Sequence, residues 1–152
     1  MTEIIGAYGG YRTTLSFGFV CLIYHATEVF CSRNFSYKND ALGDPLLNEY
    51  HALALKLATK EEIETIKDYS FRVNEALKEF WLSCGVTLVD FKIEFGRLAD
   101  GTIILADEIS PDTCRLWDEA TGERMDKDRF RLDLSRVVEN YTNVLDRLKK
   151  VL

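Results

Sequence analysis

Apolar residues recur at helical intervals through the middle of the chain. The positions that define this spacing are Ile63, Ile66, Val73, Leu77 and Phe80. Thr59 followed three residues later by Glu62 is a capping box, which is typical of a helix start. Gly85 favours a helix end just before it. The pattern therefore predicts a helix from Thr59 to Ser83 or Cys84.

A period of two replaces the helical spacing immediately afterwards. The apolar positions of this segment are Val86, Leu88, Phe91, Ile93 and Phe95. Such alternation is typical of a strand, and the Asp100-Gly101 pair favours a tight reversal into a return strand at residues 103–105. The segment predicts a β-hairpin.

Helical spacing returns near the carboxy terminus, over residues 129–152. The turn-rich segment 35–49 and the segment 107–128 are predicted to be loops, and His51 is expected to lie in a short helix after the first loop. A hairpin sheet with helices packed to one side is an α+β fold, which is the predicted class.

The first 34 residues differ from the rest of the chain. They are rich in Gly, Tyr, Phe, Cys and Thr, hold few charges, and lack a clean period. We therefore predict a boundary near Asn34, with an atypical segment at 1–34 and the main domain at 35–152. The apolar run Leu15 to Phe30 is interrupted by polar residues, and its unbroken part is shorter than the roughly 20 residues of a membrane span. We expect no membrane or targeting role for it.

Composition narrows the class of partner. Hydrophobic residues make up 47% of the chain and charged residues 29%, which is typical of a folded core rather than of disorder. The net charge of -6 argues against binding nucleic acid or an anionic membrane. Four cysteines without CxxC spacing are expected to be reduced thiols, as in the cytoplasm.

Three alternating charges mark the predicted strand. Asp90, Lys92 and Glu94 would share one face, and the hairpin would return Asp107 and Glu108 toward it. Convergent carboxylates favour Mg²⁺, which takes hard oxygen ligands and shares its shell with nucleotide phosphates. The alternative is a solvated sheet face with cross-strand ion pairs, and spacing alone does not exclude it.

Four longer strings point to a family. They are FSYKNDALGDPLLNE at 35–49, LVDFKIEFG at 88–96, LADEISPDTCRLWD at 105–118 and MDKDRFR at 125–131. In this order they resemble the SAICAR synthetase family (phosphoribosylaminoimidazole-succinocarboxamide synthase). The resemblance covers about 35–152, as the carboxy-terminal portion of the family's sequence.

The resemblance implies a cytoplasmic ligase of purine biosynthesis. Such an enzyme joins L-aspartate to carboxyaminoimidazole ribonucleotide and cleaves ATP to ADP and phosphate, with Mg²⁺ as the metal. It implies the carboxy-terminal lobe of an ATP-grasp-like or kinase-like fold. It also implies small-molecule partners only, and it allows a homo-oligomer.

The resemblance also assigns roles to individual residues. Glu94 and Asp107 match the ligands of Mg²⁺ and the nucleotide phosphates, with Asp90 and Lys92 as catalytic residues beside them. The substrate-binding set is Lys38, Asn39, Asp40, Asp44, Ser110, Asp112 and Arg115. Within this set Asp44 is a further candidate metal ligand, Arg115 suits a substrate phosphate, and Asp112 has the alternative of a plain turn residue.

The chain departs from the family in two respects. A phosphate-binding loop resembling GKxK and a substrate string resembling RxxAAGS do not appear, and residues 1–34 contain no lysine. The alternative is therefore a catalytically inactive fragment that serves at most as a binding or regulatory subunit. A third hypothesis is another acyl-phosphate ligase or kinase, which would have no reason to keep Arg115 together with the 38–44 loop.

Overall fold

In the computed structural model of the chain, residues 4–8, 11–15, 18–25, 31–37, 39–128 and 137–152 are described. The strands are β1 (Ile4–Tyr8), β2 (Tyr11–Leu15), β3 (Gly18–His25), β4 (Cys31–Tyr37), β5 (Leu46–Leu47), β6 (Val86–Arg97), β7 (Ile103–Ala106) and β8 (Cys114–Asp118). The helices are α1 (Glu49–Ala54), α2 (Lys60–Ser83) and α3 (Val137–Val151), with a 3-10 turn at Asp40–Leu42.

The strands form two sheets. β1 and β2 pair antiparallel by themselves, and the other sheet has the order β5-β4-β3-β6-β7, with β8 also paired to β6. The β4–β5, β6–β7 and β6–β8 pairings are antiparallel. Antiparallel strands combined with helices confirm the α+β class.

The predicted central helix is confirmed at both ends as α2. The Thr59 hydroxyl accepts the Glu62 N–H at 3.2 Å, and a Glu62 carboxylate oxygen accepts the Thr59 N–H at 2.7 Å. At the other end Gly85 has φ +67°, a left-handed conformation that glycine adopts without strain, and its N–H bonds to the carbonyl of Leu82 at 2.9 Å. The two signals fix the helix at Lys60–Ser83.

The predicted hairpin is confirmed as β6 and β7. The Leu98 N–H donates to the Thr102 carbonyl at 2.9 Å, and Gly101 supplies the positive φ of +88° that the reversal needs. This turn brings the start of the loop after β7 back alongside the middle of β6, because Glu94 pairs with Ala106.

A β-bulge interrupts β6 where its apolar period breaks. Leu88 pairs with Leu116 and Asp90 with Arg115, so Val89 is an extra residue. The buried apolar positions accordingly change from even numbers (86 and 88) to odd numbers (91, 93 and 95). The extra residue therefore puts Asp90, Lys92 and Glu94 out of phase with Leu88.

Several loop predictions were wrong. The predicted loop 107–128 contains β8, and the predicted loop 35–49 contains the end of β4 and the strand β5, which pair at Phe35 with Leu47. Residues 1–34, for which no period was found, contain strands. The last helix is confirmed from Val137 onward, and 129–136 lie outside the described residues.

The structure also bears on two smaller predictions, a helix at His51 and reduced cysteine thiols. Glu49–Ala54 is a helix, as expected for His51, whose backbone N–H donates to the Asn48 side chain at 2.9 Å. Cys84 and Cys114 are buried free thiols, and burial raises the pKa of Cys114 to about 11. In the described part of the chain no helix is long and apolar enough to cross a membrane.

The described residues group into two compact units. Unit 1 draws on 1–22, 33–71 and 92–108, and unit 2 on 23–32, 72–91 and 109–152. The core of unit 1 includes Ile63, Ile66, Ile93 and Phe95. The core of unit 2 includes Trp81, Val86, Phe91, Leu116 and Val144.

A two-nitrogen ion pair holds α2 to β6 within unit 1. Arg97 donates from Nε to Oε1 of Glu62 at 2.6 Å and from Nη2 to Oε2 at 2.7 Å. Burial acts to raise the pKa of Glu62, but the Arg97 and Thr59 hydrogen bonds outweigh it and leave that pKa lowered. The capping residue of α2 thus also anchors the helix start to the sheet.

Within unit 2, Arg147 of α3 is bonded to the end of β8. It donates to the Asp118 carboxylate, to the Gly85 carbonyl at 2.7 Å and to the Asn143 side chain at 2.8 Å. The Arg147 hydrogen bond, helped by Thr121, lowers the pKa of Asp118 to about 2. A carboxylate whose pKa is lower in the folded than in the unfolded state stabilises the fold above its unfolded pKa, and this contribution fades as pH falls through 4 toward 2.

We expect Arg147→Met to lower the free energy of unfolding by about 1 kcal/mol at pH 7, allowing for solvent screening. Roughly half of that difference should remain at pH 3, because the unfolded-state carboxyl is by then mostly protonated. Urea unfolding at both pH values measures it. Lys149→Met is the matched control, since its pair with Asp146 is exposed and 3.6 Å long. An equal loss in both variants, or one that does not depend on pH, would contradict the assignment.

Candidate active site

One group of charged side chains lies where β6 faces the end of β7, in unit 1. We call Lys92, Glu94, Asp107 and Glu108 the β6–β7 cluster. Lys92 Nζ donates to Glu94 Oε1 at 2.8 Å, and the Glu94 side chain is only 9% exposed while that of Lys92 is 33% exposed. Since Glu94 pairs with Ala106, Asp107 is the next residue along from its partner.

The backbone at Asp107 has a left-handed conformation. Its φ is +67°, a left-handed conformation that is uncommon outside glycine, asparagine and aspartate. A hydrogen bond that the protonated Glu108 carboxyl would donate to Asp107 is the main reason that the pKa of Glu108 is raised, and the Asp107 charge adds to it. A bound cation would reduce the repulsion between two adjacent exposed carboxylates.

The carboxylates of the β6–β7 cluster are the candidate ligands for the predicted magnesium ion. Within the described ranges no three histidine, cysteine, aspartate or glutamate side chains are grouped so as to hold a metal. Mg²⁺ is usually bound by one or two protein carboxylates, with phosphates and water completing its shell. Glu94 and Asp107 carry carboxylates at neighbouring positions of the β6–β7 pairing, and their ligand roles stay predictions.

The alternative interpretation of the charged strand was a solvated sheet face with cross-strand ion pairs. The structure contradicts the solvated face but does show ion pairs. Asp90 and Glu94 are not on a solvated face, because only 5% and 7% of the surface of each whole residue, backbone included, is exposed. Both are nevertheless ion-paired, Glu94 with Lys92 on its own strand and Asp90 with Arg115 across β6 and β8. Buried carboxylates on a strand need such partners.

The predicted substrate loop closes on itself in unit 1. The Asp44 carboxylate accepts the Asn39 N–H at 2.8 Å, and the Asp44 N–H bonds to the Asn39 carbonyl at 3.2 Å. Asp44 has φ +50°. Lys38 lies outside the described residues, and Asp40 is described only as the start of the 3-10 turn. The structure thus gives Asp44 a loop-closing role whether or not it also binds a ligand.

A second charged group lies in unit 2. We call Asp90, Arg115 and Asp128 the Arg115 cluster. Arg115 donates from Nη1 to Asp90 and from Nε to Asp128 at 2.7 Å. Its pKa is raised, chiefly by the Asp128 hydrogen bond and then by that to Asp90, with burial acting in the opposite direction. Asp128 was not among the predicted site residues, although it lies in the MDKDRFR string.

The Ser110-Pro111-Asp112 segment of unit 2 forms a turn, which is closed by hydrogen bonds of its backbone N–H groups to hydroxyl side chains. The Ser110 N–H donates to the Thr113 hydroxyl at 2.9 Å, and the Asp112 N–H donates to the Ser110 hydroxyl at 3.2 Å. The Asp112 carboxylate instead accepts the Tyr141 hydroxyl of α3 at 2.8 Å. Burial and this hydrogen bond raise the pKa of Tyr141 to about 12. The Asp112 backbone is therefore part of the turn, and its side chain is held from α3.

Sequence comparison places this chain among one group of enzymes. The family model described as SAICAR synthetase matches residues 30–148. The phosphoribosylaminoimidazole-succinocarboxamide synthase of Clostridium botulinum (strain Eklund 17B / Type B) is 59% identical over 124 residues, which is 82% of this chain and 52% of that protein. The chain spans about half the length of the curated relatives it matches.

Solved structures agree with the sequence comparison. The crystal structure of the same synthase from Ehrlichia chaffeensis superimposes with a TM-score of 0.81 at 39% identity, covering 91% of this chain and 65% of that one. A SAICAR synthetase (Type-2) in complex with ADP superimposes with a TM-score of 0.80 at 37% identity, covering 90% of this chain and 64% of that one.

Proposed function

Because the chain belongs to the SAICAR synthetase family, we propose that it acts as a purine-biosynthesis ligase. The reaction joins the amine of L-aspartate to the carboxylate of carboxyaminoimidazole ribonucleotide and cleaves ATP to ADP and phosphate. The observation that carries this proposal is the β6–β7 cluster, in which a nearly buried Glu94 is paired with Lys92 beside the left-handed Asp107.

The order of bond changes follows from the chemistry of a carboxylate. A carboxylate is a poor electrophile, so one of its oxygens first attacks the γ-phosphorus of ATP, and ADP leaves. The amine of aspartate then attacks the acyl phosphate, losing a proton as inorganic phosphate departs and the amide forms. Both steps ask the protein chiefly to position groups and to balance charge on phosphate oxygens.

The chain's own residues divide this work. Glu94 and Asp107 would hold Mg²⁺, and Asp44 is a further candidate ligand. The ion, when bound, neutralises charge on the transferring phosphoryl group. Lys92, held by Glu94, supplies a fixed ammonium for the same oxygens.

The remaining candidates serve the ribonucleotide and the aspartate. Arg115 would bind the ribonucleotide phosphate, because a guanidinium presents a planar set of donors to phosphate oxygens. Asp90, a candidate catalytic residue, would orient Arg115. Ser110 and Asp112, with Lys38, Asn39 and Asp40 of the substrate loop, would contact the substrates.

The fold and setting of the reaction are part of the proposal. The α+β chain would be the carboxy-terminal lobe of an ATP-grasp-like or kinase-like fold. It would act in the cytoplasm, where thiols such as Cys84 and Cys114 stay reduced. Its partners would be small molecules, and a homo-oligomer is compatible with this arrangement.

A second candidate function is a binding or regulatory subunit without turnover. The observation that favours it is the composition of residues 1–34, which contain no lysine to contact the ATP phosphates. Such a subunit would bind Mg-nucleotide or ribonucleotide without forming the amide.

The experiment is an assay of ADP release by the purified chain with Mg-ATP, the ribonucleotide and L-aspartate, and with each omitted in turn. The ligase proposal expects ADP release that needs all three substrates. Ligand binding without such release would support the non-catalytic subunit instead. The Clostridium botulinum synthase, run in parallel, verifies the assay. A folded chain that neither binds nor turns over any substrate would contradict both candidates.

A further inference from the structure

The segment after β8 is built to place one carboxylate. In unit 2 the Met125 N–H bonds to the Leu116 carbonyl at 2.8 Å, which brings this segment back alongside β8. Asp126 is fully buried, and its two oxygens accept the N–H of Leu116 and the N–H of Asp128, each at 2.8 Å. Asp126 therefore ties the backbone of Asp128 to the residue that directly follows Arg115.

Asp128 meets Arg115 from this fixed position. Its Oδ2 accepts the Arg115 Nε hydrogen, while Asp90 on β6 accepts from Nη1. The side chains of Asp90 and Asp128 are 7% and 14% exposed, and that of Arg115 is 36% exposed. The guanidinium is thus held at two of its three nitrogens by carboxylates that are themselves largely buried.

The third nitrogen is the one left for a ligand. Among the residues that the structure describes, none is hydrogen-bonded to Nη2 of Arg115, which carries two of the five guanidinium donors. A flexible arginine must give up rotamer freedom to bind a phosphate, whereas one already held in its plane gives up less. Fixing Nε and Nη1 therefore favours the capture of an anion by Nη2.

We propose that Asp128 is a positioning residue for Arg115, holding the guanidinium so that Nη2 meets the phosphate group of the ribonucleotide. The ribonucleotide part of this inference rests on the proposed function. Asp128 itself touches no substrate in this account and acts through Arg115. Asp126 supports it by fixing the backbone from which Asp128 projects.

The first test follows the Arg115 Nε–H resonance by nitrogen-15 NMR, which needs no ligand. Asp128→Ala removes the acceptor, and Asp128→Asn keeps an acceptor oxygen without the charge. The inference expects a resolved, slowly exchanging Nε–H signal in the parent, a weaker one in Asp128→Asn, and none in Asp128→Ala. Asp146→Ala, which removes an exposed carboxylate of α3, should leave the signal unchanged. An unchanged signal in Asp128→Ala would overturn the inference.

The second test separates positioning from a purely structural role. Dissociation constants are measured for the ribonucleotide, for its nucleoside without the phosphate, and for Mg-ADP. Asp128→Ala should weaken the binding of the ribonucleotide by roughly tenfold, which is the usual effect of removing a partner of a ligand-binding residue. Asp128→Asn should have an affinity between those of the parent and Asp128→Ala. The nucleoside and Mg-ADP should each stay within about twofold on the same reasoning.

The outcomes distinguish the inference from the function on which it rests. Equal weakening of all three ligands would mean that Asp128 only supports the fold, and would overturn the positioning role. A parent chain that does not bind the ribonucleotide would contradict the proposed function and the phosphate contact together. The Nε–H resonance would then decide by itself whether Asp128 positions Arg115.

Discussion

Asp107→Asn should weaken the binding of Mg-ADP by about 100-fold while leaving the fold intact. Loss of a partner of a metal ligand already costs roughly 10- to 100-fold, so loss of the ligand's own charge should reach the upper end of that range. Asparagine is chosen because it tolerates the φ of +67° at this position, where alanine would add backbone strain. Calorimetric titration with and without Mg²⁺ measures the effect, and circular dichroism checks the fold.

A control in the same hairpin isolates the position of the charge. Asp100→Asn removes an equal charge at the opposite end of the hairpin, where the side chain caps the turn by accepting the Thr102 N–H at 2.9 Å. Its Mg-ADP affinity should match that of the parent. Glu94→Gln should behave like Asp107→Asn. Affinities within twofold of the parent in both Glu94→Gln and Asp107→Asn would remove the β6–β7 cluster from the nucleotide site.

Arg115→Ala should lower the free energy of unfolding by about 2 kcal/mol. Removing one partner of a fully buried ion pair costs about 3–5 kcal/mol, and the partial exposure of Arg115 reduces this. The cost arises because Asp90 and Asp128 keep their charges in a largely buried place without a cation. Urea unfolding at pH 7 measures the loss.

The origin of that loss can be tested by removing the charges it leaves behind. Adding Asp90→Asn and Asp128→Asn to Arg115→Ala should restore part of the stability, because neutral side chains are less costly to bury. Arg72→Ala, at an exposed arginine of α2, should change stability by no more than about 0.5 kcal/mol. A loss for Arg115→Ala as small as for Arg72→Ala would show that the cluster contributes little to the fold.

Elements with strong local signals could be predicted from the sequence. The capping box of Thr59 and Glu62 and the left-handed Gly85 are set by contacts within a few residues, and they located both ends of α2. The β6–β7 hairpin was predictable for the same reason, since Gly101 determines its turn. Such signals need no knowledge of distant parts of the chain.

Elements that depend on distant partners could not be predicted in this way. β8 has five residues between turn-rich segments, and it is a strand because it pairs with β6, more than 20 residues earlier. The bulge at Val89 did leave a signal, the shift of apolar residues from Leu88 to Phe91, but a change of phase alone does not say which residue is extra.

The residues of the candidate site also differ in whether the sequence could reveal them. Asp90, Glu94 and Asp107 were brought together by the alternation of the strand and by the hairpin, and Arg115 was found through resemblance to a family. Their roles remain predictions. Asp128 and the Tyr141 hydroxyl were missed, because their contacts join residues 13 and 29 positions apart through side-chain geometry. The burial of Asp90 and Glu94 was likewise not predictable, because alternation does not reveal what covers the polar face of a strand.

The central claim is that this chain binds Mg-nucleotide at the β6–β7 cluster, as proposed for a SAICAR synthetase. The most direct test is a calorimetric titration of the purified chain with ATP in the presence and absence of Mg²⁺. The account predicts saturable, one-to-one binding that requires Mg²⁺ and is about 100-fold weaker in Asp107→Asn. A folded chain that binds no ATP, or binds it equally well without Mg²⁺ and in Asp107→Asn, would contradict it.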